Sequence, residues 1–304
     1  TTDPEALPQS GDKGTVGLLM MRSYVLSGDT AHYDAVIRAL EARGLRVLPA
    51  FAGGLDGRPA IDGFFRDETG AKIDALVSLT GFSLVGGPAY NDNAAAIEVL
   101  SGLDIPYLAA HPLEFQTLAQ WAASPQGLGP IETTMLIALP ELDGATNPTV
   151  FAGRHGENGC SGCRHTCRPG PQPKAMAPCP DRIDVLARRT ERAVTLRRQK
   201  AAERRVGIVI FGFPPNAGAA GTAAYLDVFQ SLHNTLHAMA ARGYDLTPPD
   251  TVEALRDAQE KYGKGKGMNG EQSRDGFEAI NLTEERIAKL GLKGFLQPIK
   301  MACD

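Results

Sequence analysis

Short apolar runs alternate with amphipathic stretches along the first 150 residues. Val16–Met21 (VGLLMM) is a continuous apolar run closed by the polar turn Ser27-Gly28-Asp29, as expected of a strand buried on both faces. In the following AHYDAVIRALEARG, residues Tyr33, Val36, Ile37 and Leu40 recur at helical spacing, and Gly44 stands where a helix-ending glycine belongs. Leu45–Phe51 and Ile73–Leu79 read as the second and third strands, each followed by a glycine-rich turn (Gly53-Gly54, and Gly81 through Pro88). A helix, AAAIEVLSGL, leads into a fourth strand at Ile105–Ala110, and Met135–Leu139 (MLIAL) is the expected fifth. Strand and helix in repeated alternation predict an α/β fold with a parallel sheet. The expected first domain is Rossmann-like and covers 15–150, after a flexible segment at 1–14.

The pattern then breaks. Residues 151–181 form a loop, in which Arg154–Pro180 holds four cysteines and five prolines with no apolar period. A helix is expected over Arg182–Arg204, with Asp181 as its N-cap. Val206–Phe211 (VGIVIF) reads as a strand, and a further helix runs from about Thr222 to Arg242. Residues 182–246 are therefore expected to hold this helix and the first βα unit of a second, truncated α/β domain. Residues 247–304 read as a helical tail of different origin.

Composition narrows the function classes. The 304 residues carry a net charge of -4, against a general nucleic-acid partner. No apolar stretch reaches the length of a membrane span. The start of the chain, TTDPEALPQSGDKGT, has no apolar signal region and reads as an internal cut, so the expected setting is cytoplasmic.

Candidate chemistry falls into three groups. The glycine-rich turns lie at the carboxyl edge of the expected sheet, where α/β domains bind ligands, although none matches a dinucleotide or Walker A sequence. Near this edge are Glu132, Glu141, Asp143 and His111, read as turn and capping chemistry and a structural histidine. Arg188, Arg189, Arg192, Arg197, Arg198, Lys200, Arg204 and Arg205 make a basic helix that could hold carboxylates, or simply a solvated face. Phe211, Phe213, Tyr225 and Phe229 offer flat apolar surface, with Tyr225 and Phe229 at core-like spacing.

The third group is the cysteines. Cys160, Cys163, Cys167 and Cys179 form C-x2-C-x3-C-x11-C, flanked by His155 and His165. Four thiolates suit a 4Fe-4S cluster, and sets of four cysteines or of mixed Cys and His suit zinc; unligated thiols remain a third reading. A cytoplasmic setting disfavours disulfides. Cys303 lies far away in the tail.

The stretches VSLTGFSLVGGPA (77–89), PLEFQT (112–117), IALPELDGATNPTVFAGR (137–154) and FGFPPNAGAAGTAAYLDVFQSL (211–232) resemble the large porphyrin-binding subunit of magnesium chelatase, bacteriochlorophyll type. The resemblance runs from residue 16 to about 246 and extends, more distantly, to the large subunit of cobaltochelatase. It implies a fragment of an enzyme that inserts Mg²⁺ into protoporphyrin IX in bacteriochlorophyll synthesis. Two AAA+ partner subunits would hydrolyse the ATP. The family's His-Gly-x4-Glu segment does not occur here, so no catalytic residue is carried over and the fragment alone is expected to be inactive. Most of the family lacks the four cysteines, so a metal centre would be an accessory to chelation, with oxygen sensing as its expected use. From about Val252, MNGEQSRDGFEAINLTEERIAKLG and FLQPIK resemble periplasmic solute-binding proteins of amino-acid transporters, with Asn281 or Thr283 and Gly291 as expected helix caps. That resemblance implies the alternative function.

Overall fold

A computed structural model describes residues 6–8, 11–87, 90–168, 174–208 and 226–263. Contacts divide the chain into two units, 1–198 and 199–304.

The first unit is built on a six-stranded sheet. Its strands are β1 (Thr15–Met20), β2 (Arg46–Phe51), β3 (Ala75–Ser78), β4 (Tyr107–Thr117), β5 (Thr146–Arg154) and β6 (Ala177–Pro178). Their order is β6-β5-β4-β3-β1-β2, parallel throughout except for β6, which returns antiparallel on β5. Val16, Leu18, Val77 and Leu79 face one way, into a core completed by α2 (Ala31–Glu41) and α5 (Pro180–Arg198). Leu19, Leu76, Tyr107 and Ala109 face the other, into a second core with Ile61, Phe65, Ala96 and Leu103. Burial on both faces explains why these strands are continuous apolar runs. Helix α1 (Arg22–Ser27) follows β1 and ends at Gly28, whose φ of 75° places it in the left-handed region that favours glycine. Helix α3 (Asn93–Leu103) is capped by Asp92, whose side chain accepts from Ala95 N–H.

Four expectations change. Met135–Leu139 is not a strand: Pro130–Leu142 is helical, with a π-helical turn at Thr134–Ala138. Glu132, Leu136 and Pro140 are its buried positions, one turn apart, so the run packs by one face. A short apolar run cannot tell a strand from a buried helical turn, and here the helix won. The fifth strand is instead Thr146–Arg154, whose Pro148 and polar start concealed it. The fourth strand runs to Thr117, beyond the expected end at Ala110, because β5 continues alongside it. The helix expected to open the second domain packs onto the first: Ile183, Leu186, Ala187 and Val194 join the core beside β5 and α2. It is entered from Cys179, whose carbonyl accepts from Arg182 and Ile183 N–H, so Asp181 is not the cap but lies inside the first turn.

In the second unit, α6 (Val228–Ala241) and α7 (Val252–Gly263) pack through Leu232, Leu236 and Leu255. The expected strand Val206–Phe211 lies partly outside the described residues; Val206–Ile208 is irregular and exposed. Phe211, Phe213 and Tyr225, with the expected tail caps, also lie outside them. No helix among the described residues is long and apolar enough to cross a membrane.

Candidate metal centre

The loop between β5 and β6 leaves the carboxyl end of the sheet. Gly156 and Gly159, with φ of 73° and 71°, turn the chain into Cys160. Cys160 and Cys167 then exchange both backbone hydrogen bonds, at 2.8 and 2.7 Å, closing a small hairpin with Cys163 between them. Gly162 lies so close to α4 (Leu118–Ala123) that a Cβ there would meet Ala122 Cβ at 2.2 Å. At the other end, Met176 N–H donates to Asp29, which ties the loop to the Ser27-Gly28-Asp29 turn. Cys179 N–H donates to Phe151 on β5 at 3.0 Å, and its thiol stands at the N-terminus of α5.

The sheet edge thus brings all four cysteines together, and all are free thiols. Cys160 and Cys179 are buried with Leu113, Leu118 and Val150. Burial pushes the Cys179 thiol up to about 11; the Arg182 N–H opposes this, and Cys163, Cys167 and Cys160 add to it. Burial also raises Cys163 and Cys167. Among the described residues, the one group of three Cys, His, Asp or Glu donors with ligand atoms all within 4.8 Å of one another is Cys163, His165 and Asp181. No three of the four thiols are that close. A tetrahedral zinc, with Zn–S near 2.3 Å, would hold its sulfurs about 3.8 Å apart.

His165 and Asp181 are residues whose roles sequence spacing did not reveal. Asp181 Oδ1 lies 2.8 Å from His165 Nδ1, and Oδ2 accepts from Arg164 N–H at 2.9 Å. Burial works to raise this carboxyl, but the hydrogen bonds from Arg164, Cys163 and His165 outweigh it and hold it at about 2. His155, the other flanking histidine, has Nδ1 3.1 Å from the Arg168 carbonyl.

The remaining candidates serve the scaffold. Glu132 accepts from Gly129 N–H and Gln116. Asp143 accepts from Ser83 Oγ at 2.6 Å and Leu84 N–H at 2.8 Å, and burial raises its pKa. His111 is buried, with no partner for either ring nitrogen among the described residues. On the basic helix, Arg188 pairs with Asp184, Arg189 donates to Thr149, Arg197 donates to the Asp104 carbonyl and Arg198 pairs with Asp74. These cations are engaged in structure. Phe229 packs in the α6–α7 core.

A small crevice opens at the carboxyl ends of β1, β2 and β3, beside the point between β1 and β3 where the strand order reverses. It is lined by Met20, Met21, Gly54, Leu55, Phe82 and Ser83 among others, and this reversal of strand order is where open α/β sheets bind ligands. Leu26, Phe51 and Phe115 add exposed apolar surface along the same edge.

The family model of CobN/magnesium chelatase matches residues 4–286. The chain belongs to the CobN/magnesium chelatase family. It is 67% identical over 262 residues to the magnesium-chelatase H subunit of Cereibacter sphaeroides, covering 85% of this chain and 22% of that protein. Identity to the chloroplastic magnesium-chelatase ChlH subunit of Oryza sativa is 43% over 243 residues, 79% of this chain and 16% of that one. Among solved structures, the catalytic subunit of cobaltochelatase from Mycobacterium tuberculosis superposes with a TM-score of 0.63 at 26% identity, over 85% of this chain and 21% of that one. The chain thus spans about a fifth of the length of these relatives. The relatives it matches at high identity are magnesium-chelatase subunits, and the chain corresponds to one part of their length. The solute-binding reading of the tail finds no support: the family model continues to residue 286, and residues 264–304 lie outside those described.

Proposed function

We propose that this chain contributes to cytoplasmic insertion of Mg²⁺ into protoporphyrin IX, with two AAA+ partners hydrolysing the ATP, and that its cysteine loop holds a 4Fe-4S cluster. The 67% identity to a magnesium-chelatase H subunit carries the first part of this reading. The small crevice at the carboxyl ends of β1 to β3, with the exposed Leu26, Phe51 and Phe115 on the same edge, offers an apolar surface for the edge of a flat macrocycle.

For the cluster, the donor set fits. Four free thiols gather at one end of the sheet, two of them buried. The N-terminus of the 19-residue α5 beside Cys179 favours its thiolate. A bound cluster would supply the positive charge that offsets the burial raising these thiols; zinc is the alternative occupant. The loop's hairpin and its Asp29 anchor would hold the ligands in place.

Two measurements test the reading. Quenching of protoporphyrin IX fluorescence should saturate on addition of the protein. Unchanged fluorescence at high micromolar protein would remove porphyrin binding from this part of the subunit. Protein purified without oxygen, after growth with ample iron, should be brown and contain iron and acid-labile sulfide. Colourless, iron-free protein would rule out the cluster, and one equivalent of zinc that is lost in Cys179→Ser would identify four-thiol zinc as the occupant.

A further inference from the structure

The Cys163, His165 and Asp181 donors form a set of their own. We propose that they hold a single zinc-class divalent ion when the four-thiol cluster is not assembled. Cys163 belongs to both sets, so the two occupants exclude each other. The inference rests on the cysteine-loop reading only through that shared residue.

The geometry is close to what one ion requires. The three ligand atoms already lie within 4.8 Å of one another. Zinc bonds of about 2.0–2.1 Å to nitrogen and oxygen would set those two atoms about 3.3 Å apart in a tetrahedral site. The present separation of His165 Nδ1 and Asp181 Oδ1 is 2.8 Å, so an opening of a few tenths of an ångström would admit the ion. Asp181 is held in place by Arg164 N–H, and its side chain is only 13% exposed. His165 is 55% exposed, which leaves a fourth position facing water. One thiolate, one imidazole and one carboxylate suit zinc or cobalt; Mg²⁺ demands an all-oxygen shell. On binding, Cys163 releases its thiol proton to solvent, the His165 Nδ1 proton that faces Asp181 moves to Nε2 by exchange with solvent, and the ion takes their place, with no electron transferred.

Co²⁺ is the probe, added to the whole chain after chelator treatment in air. Wild type and Cys179→Ser should each bind one cobalt with a sulfur-to-cobalt charge-transfer band. His165→Ala, a change at an exposed side chain, should weaken that binding more than about tenfold, since even outer-shell losses cost that much. Without oxygen the pattern should invert: His165→Ala keeps iron and labile sulfide, and Cys179→Ser loses them. The exposed pair His233 and His237, with Nε2 atoms 3.1 Å apart on α6, can also take cobalt but has no sulfur and so gives no such band. Equal charge-transfer binding by wild type and His165→Ala would overturn the proposal, as would loss of the band in Cys179→Ser. Iron-free protein throughout, with the cobalt pattern intact, would sink the cluster and leave this site standing.

Discussion

Two buried histidines make the fold sensitive to acid. His32 has no exposed surface and sits against Tyr33, Tyr24 and Phe151, with ring centroids 4.0, 5.0 and 5.8 Å away. Neither its ring nitrogens nor those of His111 have a partner among the described residues. Burial lowers His32 to about 4, although Asp29 and Asp34 pull it upward. Burial lowers His111 to about 4 as well, with Arg182 adding to the drop. A histidine depressed on folding gives stability that is full above its unfolded pKa near 6.5 and lost as pH falls through the folded value. Each contributes on the order of 3 kcal/mol across that window, since one pKa unit is about 1.4 kcal/mol. Urea midpoints measured between pH 7 and pH 4.5 should therefore fall steeply. His32→Leu and His111→Leu should each flatten the curve, and a slope unchanged by either would refute this account.

At the scale of elements, what the sequence displayed and what it concealed have separate causes. Strands β1 and β3 were legible because burial on both faces makes them apolar runs, and β2 because Val47, Leu48 and Ala50 are buried within it. The helix α2 was legible because Tyr33, Val36 and Leu40 mark one buried stripe. MLIAL misled because five apolar residues carry no period of their own. The decisive information is tertiary: Leu136 packs near Gly81 and His111, and Ile131 stays 67% exposed. Leu136→Ala should cost about 3 kcal/mol, as truncation of a buried leucine does, and Ile131→Ala close to nothing. Equal costs at both positions would contradict the one-faced helix. The cysteine set was readable from its spacing. His165 stood out in the sequence only as a flank of that set, and Asp181 only as a helix cap, because the hairpin closed by Cys160 and Cys167 and the turn into α5 create their proximity. Gly162 belongs to the same contact. Gly162→Val should push the hairpin off Ala122 and lower iron content in protein purified without oxygen, while the urea midpoint moves little.

For the molecule as a whole, the two candidate sites share one carboxyl edge of the sheet. The cysteine loop leaves β5, and the crevice lies at the carboxyl ends of β1, β2 and β3. If the crevice receives the macrocycle edge, then filling it should abolish porphyrin binding and leave the fold and the loop intact. Gly54 permits that separation. It lines the crevice, it needs no left-handed backbone, and a Cβ built there meets nothing within 4 Å. Gly54→Trp therefore starts a bulky side chain from open space at the mouth of the crevice. Protoporphyrin IX fluorescence titrated with this variant should show quenching reduced at least about tenfold in affinity, a loss of roughly 1.4 kcal/mol. Its iron content and urea midpoint should match those of the parent. Quenching equal to the parent's would place the porphyrin elsewhere on the chain.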